Sequence, residues 1–281
     1  GVLLGGAYAL MALGLQLQYG IARIMNLANG EFLIAGAFGA FWFYSGFQIN
    51  PLLAIIVIAP LAFVANWAIY HYFLTPLVRR ARSPGQLEVD SILATFGLSF
   101  IVVGLMIALF GGEYFSYPFL ERAVIILQQP FGLNRIAAFC AAVALCAALI
   151  LALNYTRVGL ALRAISVNPS AAGMVAIKVS RISALAFAIG GAVTASGGAL
   201  LSMFLTFDAS IGVIFTLKAL IIVILGGVGE IRGTIVAALI LGLAETAIAT
   251  LVDPGLTLAA AYLLFIIILL VRPQGLFGSV R

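Results

Sequence analysis

Long apolar runs separated by short polar or charged breaks account for nearly the whole chain. A helix of about 20 apolar residues crosses a bilayer core. Segments of that kind fall at roughly 1–20, 30–48, 51–74, 91–110, 134–154, 182–205, 213–228, 234–252 and 256–271. The pattern predicts an all-α polytopic membrane protein of about eight to ten transmembrane helices, with residues 1–281 forming one domain. The seventh run is short, so it either crosses fully or forms a half-span or re-entrant segment. The chain starts at Gly1, without methionine and already inside an apolar run, so the intact N-terminus is expected upstream.

Two breaks are alike in kind. Asn26-Leu27-Ala28-Asn29-Gly30-Glu31 interrupts one apolar region, and Gly226-Gly227-Val228-Gly229-Glu230-Ile231-Arg232-Gly233 interrupts another near the far end. Interrupted helices at matching places in two halves are a feature of many transporters, because unwound backbone and helix ends make polar sites in lipid. The spacing and composition are compatible with an inverted internal repeat.

Composition supports lipid as the main solvent. The chain is 64% hydrophobic and 8% charged, against about a quarter charged in soluble domains. Its net charge of +5 sits in short clusters between spans, which is an orientation signal and not a nucleic-acid patch. Arg79, Arg80 and Arg82 follow the third span; Arg157, Arg163, Lys178 and Arg181 fill the central loop; Arg272 and Arg281 close the chain. Even numbers of spans separate these groups, so all are expected in the cytoplasm, with the C-terminus, and residue 1 outside. The loop 111–133, with Glu113, Glu121 and several aromatics, then lies at the outer face as a partly ordered interfacial loop. The loop 206–212 and the turn Asp253-Pro254-Gly255 fall on the same side.

The central loop, 155–181, combines repeated positive charge with a helix start signal. Asn168 can cap, Pro169 suits the first helical position, and Ser170-Ala171-Ala172-Gly173-Met174-Val175-Ala176-Ile177 continues for about two turns. So short a helix is marginal alone. It is held either by the rest of the chain or by a partner receiving Met174, Val175 and Ile177, and a partner is our reading. A helix lying in the lipid headgroups is the alternative.

Candidate chemistry is sparse. The glycine-rich GGVGEIRGT lacks a Gly-Lys-Ser/Thr ending, so it cannot make an ATPase phosphate cradle; it reads as a tight turn between close helices. His71 is the only histidine, which excludes a His cluster for a metal or a Ser-His pair, and it reads as interfacial. No carboxylate pair is spaced for acid/base work, so no catalytic or metal-binding residue is assigned and no enzyme is expected. Cys140 and Cys146 lie in one apolar run on different helix faces and read as buried small hydrophobes. Glu245, near mid-span, must face the interior, pair or be protonated; it either lines a pathway or makes a structural bond between helices. Lys218 can snorkel to the outer interface. Glu31 reads as a first-turn carboxylate favoured by a helix N-terminus. Small residues crowd Ala184–Gly198 and Gly233–Gly242, where helices can approach closely.

The motifs GAYALMALGLQLQYG, IMNLANGEF, LATFGLSF, RAISVNPSAAGMVAIKV, LKALIIVILGGVGEIRGT and LLVRPQGLFG occur in this order. In them the chain resembles the membrane permeases of high-affinity branched-chain amino acid ABC importers (Liv type), from near residue 1 to Gly278. The resemblance implies a type II-like importer permease fold in a bacterial inner membrane. It implies a second related permease (a heterodimer, or a homodimer), two cytoplasmic ATPases that use ATP and Mg, and a periplasmic amino-acid-binding protein. This chain itself would bind no cofactor. The central loop corresponds to the ATPase-coupling element, Asn168 to Ile177, whose general pattern is Glu-Ala-Ala, three residues, Gly. Here Ser170-Ala171-Ala172 and Ala176 stand in those places, and Asn29 stands where a histidine is common. Asn26, Asn29, Glu31, Phe96, Lys218 and Glu245 are the candidate translocation-pathway residues. Related permeases carry urea, short amides or other amino acids, and an ion-coupled transporter or an assembly protein without a pathway would share several of these features.

Overall fold

A computed structural model of the chain describes residues 1–81, 83–120, 122–126, 129–174, 177–272 and 274–278. Every expected apolar segment is a helix: α1 (Val2–Ala22), α2 (Asn29–Phe47), α3 (Pro51–Ala68), α5 (Pro84–Phe110), α6 (Leu133–Tyr155), α9 (Val179–Leu201), α10 (Gly212–Gly226), α11 (Ile231–Leu251) and α12 (Thr257–Val271). Among the described residues, seven helices are long and apolar enough to cross a membrane. The two left out, α2 and α10, adjoin the polar break described below.

Two short helices were not expected as separate elements, α4 (Thr75–Arg80) and α7 (Arg157–Val167), whereas the short helix expected in the central loop is present as α8 (Pro169–Met174). A π-helical turn at Ile69–Leu74 joins α3 to α4. Pro76 follows it, and because proline cannot donate to the preceding turn and crowds it, a widened turn relieves the clash. The helix α5 begins at Pro84, earlier than the hydropathy suggested, because Ser83 caps it by accepting from Gln86 N at 3.2 Å.

Antiparallel α1 and α9 form the centre. Most of each is buried, 78% of the most apolar window in both against 6% in α12. Their closeness depends on missing side chains: a Cβ at Gly14 would lie 1.9 Å from Thr194 Oγ1, and one at Gly190 2.5 Å from the Gly14 carbonyl. The helices α2 and α3 pack on α9, α11 packs on α1, and α10 sits among α1, α2 and α11. The helices α5 and α12 form the rim.

One end of the bundle gathers Arg23, α4, α7, α8 and the start of α9 around a shared cavity. The C-terminal segment returns to the same end, Leu276 N donating to Leu225 O at 2.7 Å. The opposite end carries the loop 111–132, which is more ordered than expected. Its strands β1 (Ala123–Ile126) and β2 (Gln129–Gly132) pair antiparallel, with Ala123 opposite Gly132. Phe115 pairs its backbone with Phe207. Phe38 stacks on Phe110 at 4.3 Å and meets Phe115 and Phe207 edge-on. Tyr117 shares a 2.8 Å hydrogen bond with Ser202, and burial pushes its phenol up to about 12. Glu113 is exposed, and Glu121 lies outside the described residues.

Candidate functional site in the middle of the bundle

The helix α1 ends at Arg23, which takes a left-handed conformation (φ 57°) and returns its N–H to the last turn. The chain does not turn over at the bundle end. The non-helical stretch Ile24–Ala28 runs back inward along the first turns of α5. Backbone groups free of helix at that depth are tolerated only when protein satisfies them, and here side chains do so. Met25 N donates to Ser91 Oγ at 3.2 Å, and Leu27 N donates to Thr95 Oγ1 at 3.0 Å. Asn26 Oδ1 accepts from Ala28 N at 3.0 Å, its Nδ2 donates to Gln18 Oε1 at 2.9 Å, and Gln18 Nε2 donates to Phe187 O at 3.1 Å.

The helix α2 therefore starts inside the bundle. Asn29 Nδ2 donates to the carbonyl of Met11, midway along α1, at 3.4 Å, and Thr194 Oγ1 donates to Asn29 Oδ1 at 2.9 Å. Gly30 N donates to Thr216 Oγ1 at 2.8 Å, and that hydroxyl reaches Leu27 O at 3.1 Å. Gly30 has to be glycine, because a Cβ would sit 1.9 Å from the carbonyl of Gly212. Gly212 opens α10, whose 15 residues span about 22 Å, short of a full crossing. Two helix N-termini meet at this point, each with a partial positive charge. The Glu31 carboxylate is fully buried among them and packs on Gly212, where a Cβ would lie 2.0 Å from Oε2. Neither of its oxygens has a hydrogen-bond partner. Glu31 is a first-turn carboxylate, as expected, and also an unused acceptor at the core of the break.

A second polar group joins α1, α10 and α11. The Lys218 ammonium lies 2.8 Å from Glu245 Oε1, 2.9 Å from Oε2 and 2.8 Å from the Tyr8 hydroxyl, which donates to Glu245 Oε2 at 2.7 Å. The expectation that Lys218 snorkels outward is thus corrected: its side chain is 12% exposed and that of Glu245 5%. A carboxylate within reach is better compensation for a buried ammonium than a long route to water.

The structure does not bring Phe96 to the break. It is half exposed on the rim and meets Phe100 edge-to-face at 4.9 Å. Its neighbour Thr95 does the work instead, and sequence reasoning passed it over. The signal was there: Ser91, Thr95 and Ser99 recur every fourth residue in an apolar helix, and all three are buried. Gln16 and Gln18 on α1 were missed in the same way. Cys140 is exposed and Cys146 buried, so only the second fits its expected core role. His71 is exposed and stacks on Trp67 at 5.2 Å.

The central loop is a helical shelf. Thr156 caps α7, accepting from Gly159 N at 3.0 Å, and Leu162 and Ile165 face inward. Asn168 caps α8 as anticipated, its Oδ1 accepting from Ala171 N at 3.0 Å. Within the described residues the helix covers Pro169–Met174, and Ile177 is turned against the core with its N–H on Ala172 O at 3.3 Å. Met174 is left as the projecting side chain, 87% exposed. Gly173 has open space around it and Ala172 is buried. Val175, Ala176 and the Ser170 side chain lie outside the described residues.

Residues 1–271 match the sequence pattern of the branched-chain amino acid transport system / permease component family. The chain belongs to that family. This permease is 27% identical to the high-affinity branched-chain amino acid transport system permease protein LivH of Salmonella typhimurium, covering 99% of the chain and 93% of that protein. It is 28% identical to the corresponding permease BraD of Pseudomonas aeruginosa, covering 99% and 94%. A probable branched-chain amino acid transport permease, LivH of Methanocaldococcus jannaschii, is 27% identical over 96% and 88%. No solved structure matches. The fold is that of a multi-pass membrane permease, and among the described residues no group of His, Cys, Asp or Glu side chains could hold a metal ion.

Proposed function

We propose that this permease is the membrane-spanning subunit of an ATP-driven importer that moves branched-chain or other neutral amino acids into the cytoplasm by alternating access. Two separate ATPase subunits hydrolyse ATP with Mg, a second related permease completes the pathway, and a periplasmic amino-acid-binding protein delivers solute. The arginine-rich end and the C-terminus face the cytoplasm of a bacterial inner membrane.

The observation that carries the coupling role is Met174, 87% exposed on the short capped helix α8 at the arginine-rich end. Burying a methionine contributes about 1.5–3 kcal/mol, so such a knob suits a groove on another subunit. Asn168 to Ile177 form the coupling element, with Met174 as its anchor and Ile177 as its root in the permease. The solute class is supported by the names of the relatives and by the chemistry of the break. A zwitterionic amino acid needs an acceptor for its ammonium and donors for its carboxylate. Glu31 offers the first and two helix N-termini offer the second, once the bundle opens around Asn26 and Asn29.

A lone cysteine at Met174 tests the reading. It should cross-link to a cysteine in the ATPase groove and be shielded from labelling when the ATPase is present. Equal labelling with and without the ATPase would place α8 on lipid and remove the coupling role. The buried Lys218–Glu245 pair favours a second reading, an ion-coupled transporter acting alone. Uptake by the purified permease in liposomes under an ion gradient, without ATP or ATPase, would establish that reading instead. Competition by urea or short amides, and none by leucine, would reassign the solute.

A further inference from the structure

We propose that an anionic phospholipid binds in the cavity behind α8 at the arginine-rich end of the bundle. The cavity measures about 490 Å³, within the range of small-molecule sites. Its walls come from the end of α1, from α4 and the start of α5, and from α7, α8 and α9. Ile21, Val78, Leu87 and Ile165 make the lining mainly apolar, while Arg23 and the hydroxyl residues Ser180 and Ser183 supply a polar corner. Arg23 is half-buried, and no carboxylate pairs with its guanidinium among the described residues.

Further cations surround the opening. Arg79 and Arg80 follow the lining residue Val78, and Lys178 and Arg181 flank the lining pair Val179–Ser180; all four are exposed. Glu88, next to the lining residue Leu87, accepts from the Tyr19 hydroxyl at 3.5 Å. The occupant must therefore be negative at one end and apolar over the rest. A free phosphate satisfies the polar corner and leaves the apolar walls uncovered. A neutral detergent-like molecule does the reverse.

The side from which the occupant arrives is also set. Met174 points away from the bundle, whereas Pro169 at the other end of α8 lines the cavity. A subunit seated on Met174 leaves the cavity unfilled. Its other wall is α4 and α5, and α5 is a rim helix with 17% of its most apolar window buried. The surrounding bilayer has access there, and basic recesses between transmembrane helices are where anionic headgroups are held.

The test is retention of lipid by the purified permease complex in native mass spectrometry. Phosphatidylglycerol should stay bound as one tightly held molecule, and phosphatidylcholine should be lost at the same activation energy. Arg23→Gln removes the charge that lines the cavity among the described residues and should lower phosphatidylglycerol occupancy roughly tenfold. Arg23→Lys should keep most of it, and Arg157→Gln, an exposed cation at the same end outside the cavity, should change nothing. Val78→Trp with Leu87→Trp fills the apolar part and should expel the lipid with Arg23 intact. Equal retention by wild type, Arg23→Gln and the filled variant would overturn the proposal. Displacement of the lipid by millimolar inorganic phosphate would overturn it too, by showing a soluble-anion site.

Discussion

The Lys218–Glu245–Tyr8 group gives the sharpest test of the interior. The ammonium sits 2.8 and 2.9 Å from the two carboxylate oxygens with both side chains largely buried. Removing one partner from a buried pair typically costs about 3–5 kcal/mol, because the other charge is left uncompensated. Here the Tyr8 hydroxyl remains beside whichever group survives, so the lower figure applies, about 3 kcal/mol. At roughly 2–4 °C per kcal/mol for a chain approaching this size, Lys218→Met and Glu245→Gln should each melt on the order of ten degrees below wild type in detergent. Exchanging both for apolar residues, Lys218→Met with Glu245→Leu, removes both charges of this group. It strands the buried Tyr8 hydroxyl and should still lie about 1–3 kcal/mol below wild type, well short of the two single losses summed and so a coupling outside additivity. Heating followed by size-exclusion chromatography measures this directly. Single variants within a degree or two of wild type, or a double variant as unstable as the two losses summed, would refute the pairing. Transport separates structure from function in the same variants. A double variant that is stable yet transports nothing makes the pair part of the path; one that is stable and transports makes it a structural tie.

Other outcomes follow from the geometry. Gly36→Ala places a Cβ 2.1 Å from the Ala195 carbonyl and should destabilise by at least the roughly 1–3 kcal/mol of overpacking, whereas Gly46→Ala, in open space, should melt like wild type. Thr95→Val keeps shape but strips the partner of Leu27 N, so it should cost about 1–3 kcal/mol and speed proteolysis or hydrogen exchange at residues 24–28; unchanged exchange would refute the role given to that hydroxyl. Cysteines replacing Arg80, Ser170 and Gln274 should be shielded from impermeant reagents outside intact cells, and one replacing Ser116 should react. Labelling at position 170 from outside would reverse the proposed orientation.

Much of the fold could be read from hydropathy, because lipid leaves the backbone few choices and apolar length reports crossing helices directly. The break at Asn26–Glu31 was also visible, since asparagines, a glycine and a glutamate in succession have no place in a lipid-facing helix. Its depth was not visible. Residues 24–28 could equally have turned over at the surface; their return into the bundle depends on Ser91, Thr95, Thr194 and Thr216, far off in sequence. Hydroxyls pass as ordinary in apolar helices because they can satisfy themselves on their own backbone. The outward reading of Lys218 failed for a related reason: its partners stand on α1 and α11, and no local pattern announces them. The shelf α7 escaped notice because its inward residues, Gly159, Leu162 and Ile165, recur too briefly to separate from a loop. Ile177 was misjudged because only the packed structure tells which side of a short helix faces home.

The way the break is satisfied also dictates an order of manufacture. Leu27 waits for Thr95, Asn29 for Thr194 and Gly30 for Thr216, so a growing chain has no means of retiring these polar groups into lipid as they leave the ribosome. Residues 24–31 must stay wet, in the insertion machinery or at the membrane surface, until α10 has been made. A cysteine at Ala28 should accordingly remain open to a water-soluble reagent in chains stalled before Thr216 and close once α10 joins, so that the last step of assembly is the sealing of the first break.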